Sequence, residues 1–173
     1  MPLDPKVEKL IILYIFDQME FPMKEQVIND LVVENNWLPV FNFREAFSDL
    51  IKTGQLVNVA KKNAEPQYAI TITSKEGLSN FYTEIPITIR EEISANIKKN
   101  RINYRKKQEY IADYSKNADG TYTVSLKIES SAYTLLDLKI VVQTKQKAKW
   151  IYNNWSEKAA TIYEGIYENL IDV

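Results

Sequence analysis

The residues of this sequence that could bind a partner electrostatically are concentrated in one cationic stretch. Residues 85–107 contain seven lysines and arginines against two glutamates, whereas the net charge of the whole chain is −1. Because DNA affinity depends largely on neutralising phosphates, Arg101, Arg105 and Lys106 are candidate phosphate contacts. A solvated helix end that serves as a linker would have the same composition, since the helix dipole favours cations at a C-terminus. Both interpretations stay open.

The chemistry of catalysis has few candidate residues. The chain contains no cysteine and no histidine, which excludes Ser-His-Asp and Cys-His catalysis, disulfides and the usual structural zinc sites. Glu91 and Glu92 do not form an acid/base pair, because adjacent positions on a helix do not face each other. The four glycines form no cluster that could cradle a phosphate. We therefore expect no enzymatic activity, no cofactor and no metal.

Three helices are expected at the N-terminus, where they would position a binding surface. Asp4 is a suitable N-cap for the first helix, and apolar residues then recur at helical spacing. A second helix is predicted over roughly residues 24–35. The third helix is predicted to begin at Asn42, which could form a capping box with Glu45, and to end at Gly54.

A hairpin and a fourth helix follow. Residues 55–60 and 67–73 form two alternating, β-branched runs that a polar loop joins, and Thr73 with Glu76 predicts the cap of the next helix. Helix, helix, turn, helix, hairpin, helix is the order of a winged helix-turn-helix. In that fold the third helix offers its outer face to the DNA major groove and the hairpin tip contacts phosphates.

The winged-helix interpretation assigns candidate DNA contacts to two places. The outer face of the third helix supplies Arg44, Ser48 and Lys52, and the wing tip supplies Lys61 and Lys62. However, Glu45 and Asp49 lie on the same helix face, and residues 1–84 contain eight lysines and arginines against twelve acidic residues. The alternatives are a third helix that packs or contacts protein, and wing lysines that are ordinary residues of a soluble loop.

Two resemblances support this interpretation. Residues 68–77, Tyr-Ala-Ile-Thr-Ile-Thr-Ser-Lys-Glu-Gly, are similar to the tyrosine-x-leucine-threonine-x-x-glycine passage that leaves the wing in PadR-like and MarR-like repressors. The whole chain more closely resembles a clostridial-type family catalogued as domain of unknown function 4364, through residues 10–15, 21–22, 68–77 and 85–93. That resemblance implies a fold like that of a winged-helix regulator over nearly the full length. It implies no particular ligand, operator or reaction.

The C-terminal half is expected to be a sheet under a helix. Thr88 and Glu91 predict a capping box at the start of a linker helix, and strands are predicted near 106–115, over 121–129 and over 136–142. A helix over roughly 145–170 is expected to cover one face of this antiparallel sheet, whose edges need cover or a partner. The residues that this helix should bury are Ile151, Trp155, Ala159, Ile162, Ile166 and Leu170.

The sequence therefore predicts an α+β protein in three parts: a winged helix-turn-helix domain at 1–84, a linker helix at 85–104, and a dimerisation or sensor domain at 105–173. The predicted function is that of a cytoplasmic, homodimeric transcriptional regulator that binds double-stranded DNA and that a small-molecule effector could control. The alternative is a winged-helix module for protein–protein interaction that does not bind DNA. No membrane span is expected, because no apolar run approaches the ~20 residues that a transmembrane helix needs.

Overall fold

The computed structural model describes residues 2–130 and 132–171. The predicted α+β class is confirmed, with two antiparallel sheets of two and three strands. The elements in chain order are α1 (Pro5–Met19), α2 (Glu25–Glu34), α3 (Val40–Lys52), β1 (Leu56–Asn58), β2 (Tyr68–Ile70), α4 (Ile72–Phe81), a 3-10 turn (Tyr82–Glu84), α5 (Ile87–Glu109), β3 (Tyr110–Lys116), β4 (Tyr122–Glu129), β5 (Thr134–Val142) and α6 (Lys145–Ile171). No helix within the described residues is both long and apolar enough to cross a membrane.

The chain divides into two units, Met1–Tyr104 and Arg105–Val173. In the N-terminal unit, α1 packs against α3, α4 and β2. The ring of Phe47 on α3 is stacked 6.4 Å from that of Phe16 and 5.4 Å from that of Phe43, and it meets Tyr68 edge-on at 5.3 Å. Buried aromatic pairs of this kind contribute packing energy beyond their area. They fix which face of α3 is turned inward.

The junction between α3 and the hairpin is a tight helix ending. Gly54 has a φ of 74°, its N–H donates to the carbonyl of Ile51, and the N–H of Gln55 donates to the carbonyl of Leu50. These two bonds define a Schellman motif, which favours glycine at the left-handed position. The predicted stop at Gly54 is therefore confirmed, and β1 begins two residues later.

The hairpin is shorter than predicted but has an additional partner. Leu56 pairs with Ile70, and the pairing continues to Asn58 opposite Tyr68. Met23, in the segment between α1 and α2, forms an antiparallel bridge with Tyr68 through backbone hydrogen bonds of 2.9 and 2.8 Å. The strand β2 is thus tied, at its end next to the hairpin loop, to the segment before α2.

The predicted start of α3 at Asn42 is wrong. The helix begins at Val40, directly after Pro39. Proline is tolerated at the start of a helix, because it has no N–H group that would be left without a partner there. Asn42 lies inside the first turn, and its side-chain amide donates a 2.7 Å hydrogen bond to the buried carboxylate of Glu8. A buried carboxylate needs hydrogen-bond partners. The side chain of Asn42 therefore serves as a partner for Glu8 and does not form a capping box with Glu45.

The two other predicted capping boxes are also wrong, whereas the Asp4 cap of α1 is confirmed by a 2.8 Å hydrogen bond from the N–H of Lys6. Helix α4 is capped by the hydroxyl of Thr71, which accepts from the N–H of Ser74, so the predicted cap at Thr73 lies inside the helix. Thr88 likewise lies within α5. A threonine three residues before a glutamate also occurs inside helices, which is why the pattern alone misplaces these starts.

In the C-terminal unit the strands have the order β3-β4-β5, with Leu126 of β4 opposite Ala112 of β3 and Leu138 of β5. The inward side chains of β4, from Val124 to Ile128, are buried under α6. The first strand begins at Tyr110 rather than near residue 106, because α5 continues to Glu109.

Helix α6 is longer than the sheet that it covers. It has 27 residues, which makes it about 40 Å long, whereas β4 has eight residues and is about 27 Å long. The predicted burial therefore holds near the sheet, at Trp155 and Ala159, and fails beyond it, where Ile162 is 39% and Leu170 is 80% exposed. Ile151 and Ile166 are half-buried.

Replacing Gly54 and Gly77 with alanine should change stability in opposite directions. A Cβ at either position meets no atom within 4 Å, but only Gly54 has a positive φ. We expect Gly54→Ala to destabilise the protein by about 1 kcal/mol, because a left-handed conformation is strained for alanine. Gly77→Ala, inside α4, should stabilise it by about 0.5–1 kcal/mol. Urea unfolding followed by circular dichroism measures both, and a Gly54→Ala protein as stable as the wild type would contradict the helix ending described above.

Candidate nucleic-acid interface

The outward face of α3 carries the three residues predicted to contact DNA. Successive residues of a helix are 100° apart, so Ser48 and Lys52 lie on the side opposite the buried Phe43, and Arg44 lies on the flank between the two sides. Arg44 and Lys52 are exposed, and Ser48 is half-exposed. The structure thus brings these three side chains together on one solvent-facing surface, which we call the α3 face.

The charge of the α3 face is more favourable to an anion than the sequence suggests. The ammonium group of Lys9, on α1, lies 3.5 Å from the carboxylate of Asp49 and offsets its charge. Within the described part of the chain, neither Arg44 nor Lys52 forms an ion pair. Both cations are therefore available to a partner, and Glu45 is the acidic residue of the face whose charge is not offset.

Phe41 belongs to the α3 face and was missed by the sequence analysis. Its side chain is 76% exposed, because α3 begins at Val40 and Phe41 points away from the core. With the correct helix start, the helical period places Phe41 in line with Ser48 and Lys52. An exposed aromatic ring at this position could contact a thymine methyl group or an apolar surface of a protein.

The wing tip is a defined turn with both predicted lysines exposed. The side-chain oxygen of Asn58 accepts hydrogen bonds from the N–H groups of Ala60 and Gln67, at 3.0 and 3.2 Å. The N–H of Ala64 donates to the carbonyl of Lys61, and Asn63 has a φ of 67°, which asparagine tolerates in a turn. Lys61 and Lys62 therefore lie on an ordered loop.

The three candidate phosphate contacts of the basic stretch differ in their surroundings. The guanidinium of Arg101 donates a 2.7 Å hydrogen bond to the carbonyl of Gln18 and lies 3.3 Å from the carboxylate of Glu20. In the C-terminal unit, Arg105 is 2.8 Å from Glu109, and Lys106 is half-exposed. Two of the three cations are thus already bound to partners within the chain, which favours the linker interpretation of this stretch.

Tyr104, in the same basic stretch, is a core residue of the N-terminal unit. It is 8% exposed, and its hydroxyl donates a 2.9 Å hydrogen bond to the side-chain oxygen of Asn96. Burial, with a smaller effect from the negative charge of Glu34, raises the pKa of Tyr104 above its ordinary value. The phenol is therefore uncharged at neutral pH and is not exposed for stacking on a nucleic acid.

The C-terminal unit contains an open cleft of about 800 Å³ between β3 and the beginning of α6. Its lining combines aromatic rings with more cations than anions, chiefly Tyr114, Tyr122, Tyr152, Lys116, Lys145, Lys149 and Asp113. Tyr114 and Tyr152 meet edge-on with their ring centroids 5.6 Å apart. Ligand sites have this order of volume and usually combine apolar surface with a few polar groups, and the lysines favour an anion.

Replacing Arg101 should lower stability if its role is to join α5 to the end of α1. We expect Arg101→Gln to destabilise the N-terminal unit by about 1 kcal/mol, because the hydrogen bond to the carbonyl of Gln18 is lost. Lys98→Gln removes the same charge from an exposed position one turn earlier and serves as the control. Urea midpoints compare the two, and equal stability of both variants would show that the Arg101 contact contributes nothing.

Comparison with known proteins identifies one family. A model of the family described as Domain of unknown function (DUF4364) matches residues 8–170. No curated protein and no solved structure matches the chain. The narrower similarity to PadR-like and MarR-like repressors stays a prediction, whereas the match to the family model covers nearly the whole sequence. The chain therefore belongs to the DUF4364 family.

Proposed function

We propose that this protein is a cytoplasmic, homodimeric transcriptional regulator that binds double-stranded DNA through its N-terminal unit. The observation that carries the proposal is the α3 face, where Arg44 and Lys52 are exposed without an ion-pair partner in the described part of the chain. The helix that bears them is followed directly by a hairpin with Lys61 and Lys62 at its tip. This is the arrangement with which winged helices bind DNA.

Each side chain has a distinct role in this proposal. Arg44 is suited to a bidentate contact with the O6 and N7 atoms of a guanine, and Ser48 can donate to or accept from a base or a phosphate. Lys52 lies in the last turn of α3, where an ammonium group can contact the backbone at the edge of the groove. The wing lysines bind phosphates and therefore contribute affinity without sequence preference.

The charge balance makes dimerisation important for the proposed activity. Four cations per copy, Arg44, Lys52, Lys61 and Lys62, could neutralise phosphates, and the rest of the N-terminal half is acidic. A single unit would therefore bind weakly. Two linked units bind a duplex with a higher effective concentration, and two-fold symmetry would place their α3 helices roughly 34 Å apart along the DNA. With eight phosphates neutralised, log K would fall with log salt with a slope of about −7.

The cleft of the C-terminal unit is the candidate position for an effector. Its three lysines and its tyrosine rings favour a small anionic ligand with an aromatic or planar group. In this proposal the C-terminal unit has the dimerisation or sensing role, while the N-terminal unit contacts the operator.

A second candidate function is that of a protein-interaction module without DNA binding. The observation that favours it is Phe41, which is 76% exposed on the same helix face as Glu45. Exposed aromatic residues are enriched in protein interfaces, and an acidic N-terminal half repels phosphates. The two functions differ in salt dependence. A regulator loses affinity steeply between about 50 and 200 mM salt, whereas an interaction module binds duplex DNA at neither concentration.

Removing both free cations of the α3 face should weaken DNA binding. We expect Arg44→Ala with Lys52→Ala to lower the affinity for a duplex selected from a random-sequence pool by about 10- to 100-fold, because each lost base or phosphate contact contributes roughly 1 kcal/mol or more. Fluorescence anisotropy of the labelled duplex at the two salt concentrations measures the effect.

The control for this experiment is a second double variant, Lys147→Ala with Lys158→Ala. It removes the same two positive charges from exposed positions on α6 in the other unit, and it should bind the selected duplex like the wild type. Unchanged affinity of the α3 variant would end the assignment of the α3 face to the groove. A wild-type protein that selects no duplex at low salt would support the interaction module instead.

A further inference from the structure

The strand β5 has an open edge. Within the described residues, β5 pairs with β4 on one side and no strand lies beside its other side. It is nine residues long and contains no proline. Natural proteins usually protect such an edge with proline, with a covering loop or with a short strand, because its unpaired backbone groups otherwise bind another chain. The strand β5 is neither short nor interrupted by proline. Its protecting features are the charged side chains of Asp137 and Lys139 and a β-bulge near its start.

The inward face of β5 is also incompletely covered. Helix α6 packs mainly on β3 and β4 and has few contacts with β5. As a result, Ile140 is 39% exposed although it shares its face with the buried Val124 of the neighbouring strand. Val141, on the opposite face, is 60% exposed, and Leu135, at the β-bulge near the start of the strand, is 46% exposed. Apolar side chains are thus exposed on both faces of the open edge.

The sequence of β5 is self-complementary about Leu138. In an antiparallel pair with a second copy centred on this residue, Asp137 lies opposite Lys139 of the partner subunit, and Lys139 lies opposite Asp137 of the partner subunit. The same register places Leu136 opposite Ile140 of the partner subunit. Opposite charges and apolar pairs are the cross-strand combinations that stabilise a sheet.

The neighbouring registers lack this complementarity. In the paired sheet, residues that are directly opposite each other lie on the same face. Each alternative register of the symmetric β5–β5 pair is therefore centred on a different residue of the strand. A pair centred on Lys139 or on Asp137 places two like charges opposite each other, which is destabilising. The charges of β5 therefore favour the register centred on Leu138 over its two neighbours, and registers further away pair fewer residues of the strand.

We propose that β5 pairs with β5 of a second copy of this chain, antiparallel and centred on Leu138, so that the two three-stranded sheets become one six-stranded sheet. The inference gives the homodimer of the proposed regulator a defined interface, and in that sense it rests on the proposed function. The pairing joins the central residues of both edges through backbone hydrogen bonds and buries Ile140 of each copy against Leu136 of the partner subunit.

The test exchanges the two charges. Asp137→Lys and Lys139→Asp each place like charges opposite each other at both symmetric contacts, and each should raise the dimer dissociation constant by about tenfold or more. An equimolar mixture of the two variants should dimerise, because every contact in the heterodimer is then between opposite charges. The double variant Asp137→Lys with Lys139→Asp should dimerise by itself. Sedimentation velocity over a concentration series, without DNA, measures all four samples.

Two features guard this test against misfolding. Asp137 lies opposite Lys127 within the same chain, so Asp137→Lys also places two like charges opposite each other inside one sheet. Recovery of the dimer when the two single variants are mixed would show that this variant is folded. The matched control is Asp113→Lys, an exposed charge reversal on β3, where Asp113 and Lys139 pair with the same residue, Ser125, from opposite sides. It should leave the dissociation constant unchanged.

The proposal is overturned by a wild-type monomer at micromolar concentration, by single variants that dimerise like the wild type, by a mixture that fails to dimerise, or by a loss of dimer in Asp113→Lys. Duplex binding is measured separately on the same preparations. Dimers that follow the charge pattern but bind no duplex would support the β5 interface and refute the regulator. Duplex binding by dimers that ignore the pattern would support the regulator and refute this interface.

Discussion

The packing of Phe47 is the constraint on which the N-terminal unit depends. Its ring contacts Phe16 of α1, Phe43 of its own helix and Tyr68 of the hairpin, so one side chain joins three elements. Because interiors are close-packed, α3 cannot rotate about its axis without opening a cavity at this ring. The orientation of α3 is therefore set from inside, and the identity of the residues left outside follows from the helical period.

Periodicity explains why much of this fold could be predicted. The solvent-facing side of α3, the glycine at its end, the strand β4 and the length of α6 all follow from local properties of the sequence, and the structure confirms each of them. The helix starts at Asn42, Thr73 and Thr88 were misplaced. Helices α3 and α5 begin directly after a proline, and α4 is capped by Thr71. The capping-box pattern does not distinguish a residue at the N-cap from a threonine or asparagine inside the first turn.

The environment of the candidate site depended on contacts that a sequence does not reveal. Asp49 is offset by Lys9 from another helix, and Arg101 binds the carbonyl of Gln18, which is 83 positions away along the chain. A count of charges in sequence windows treats Asp49 as an obstacle to DNA and Arg101 as an advantage. The three-dimensional contacts weaken both inferences. The exposure of Phe41, in contrast, follows from the helical period alone once the first residue of α3 is known.

The short connection between α3 and the hairpin limits the freedom of the whole surface. The Schellman bonds at Gly54 fix the end of α3, and the bridge between Met23 and Tyr68 ties β2 to the segment between α1 and α2. The backbone of the hairpin is therefore held by the rest of the N-terminal unit at two separate places. A flexible wing adapts to targets of different width and loses entropy when it docks. A hairpin whose backbone is already held in the folded protein would lose less of that entropy on docking and would select its partners by shape.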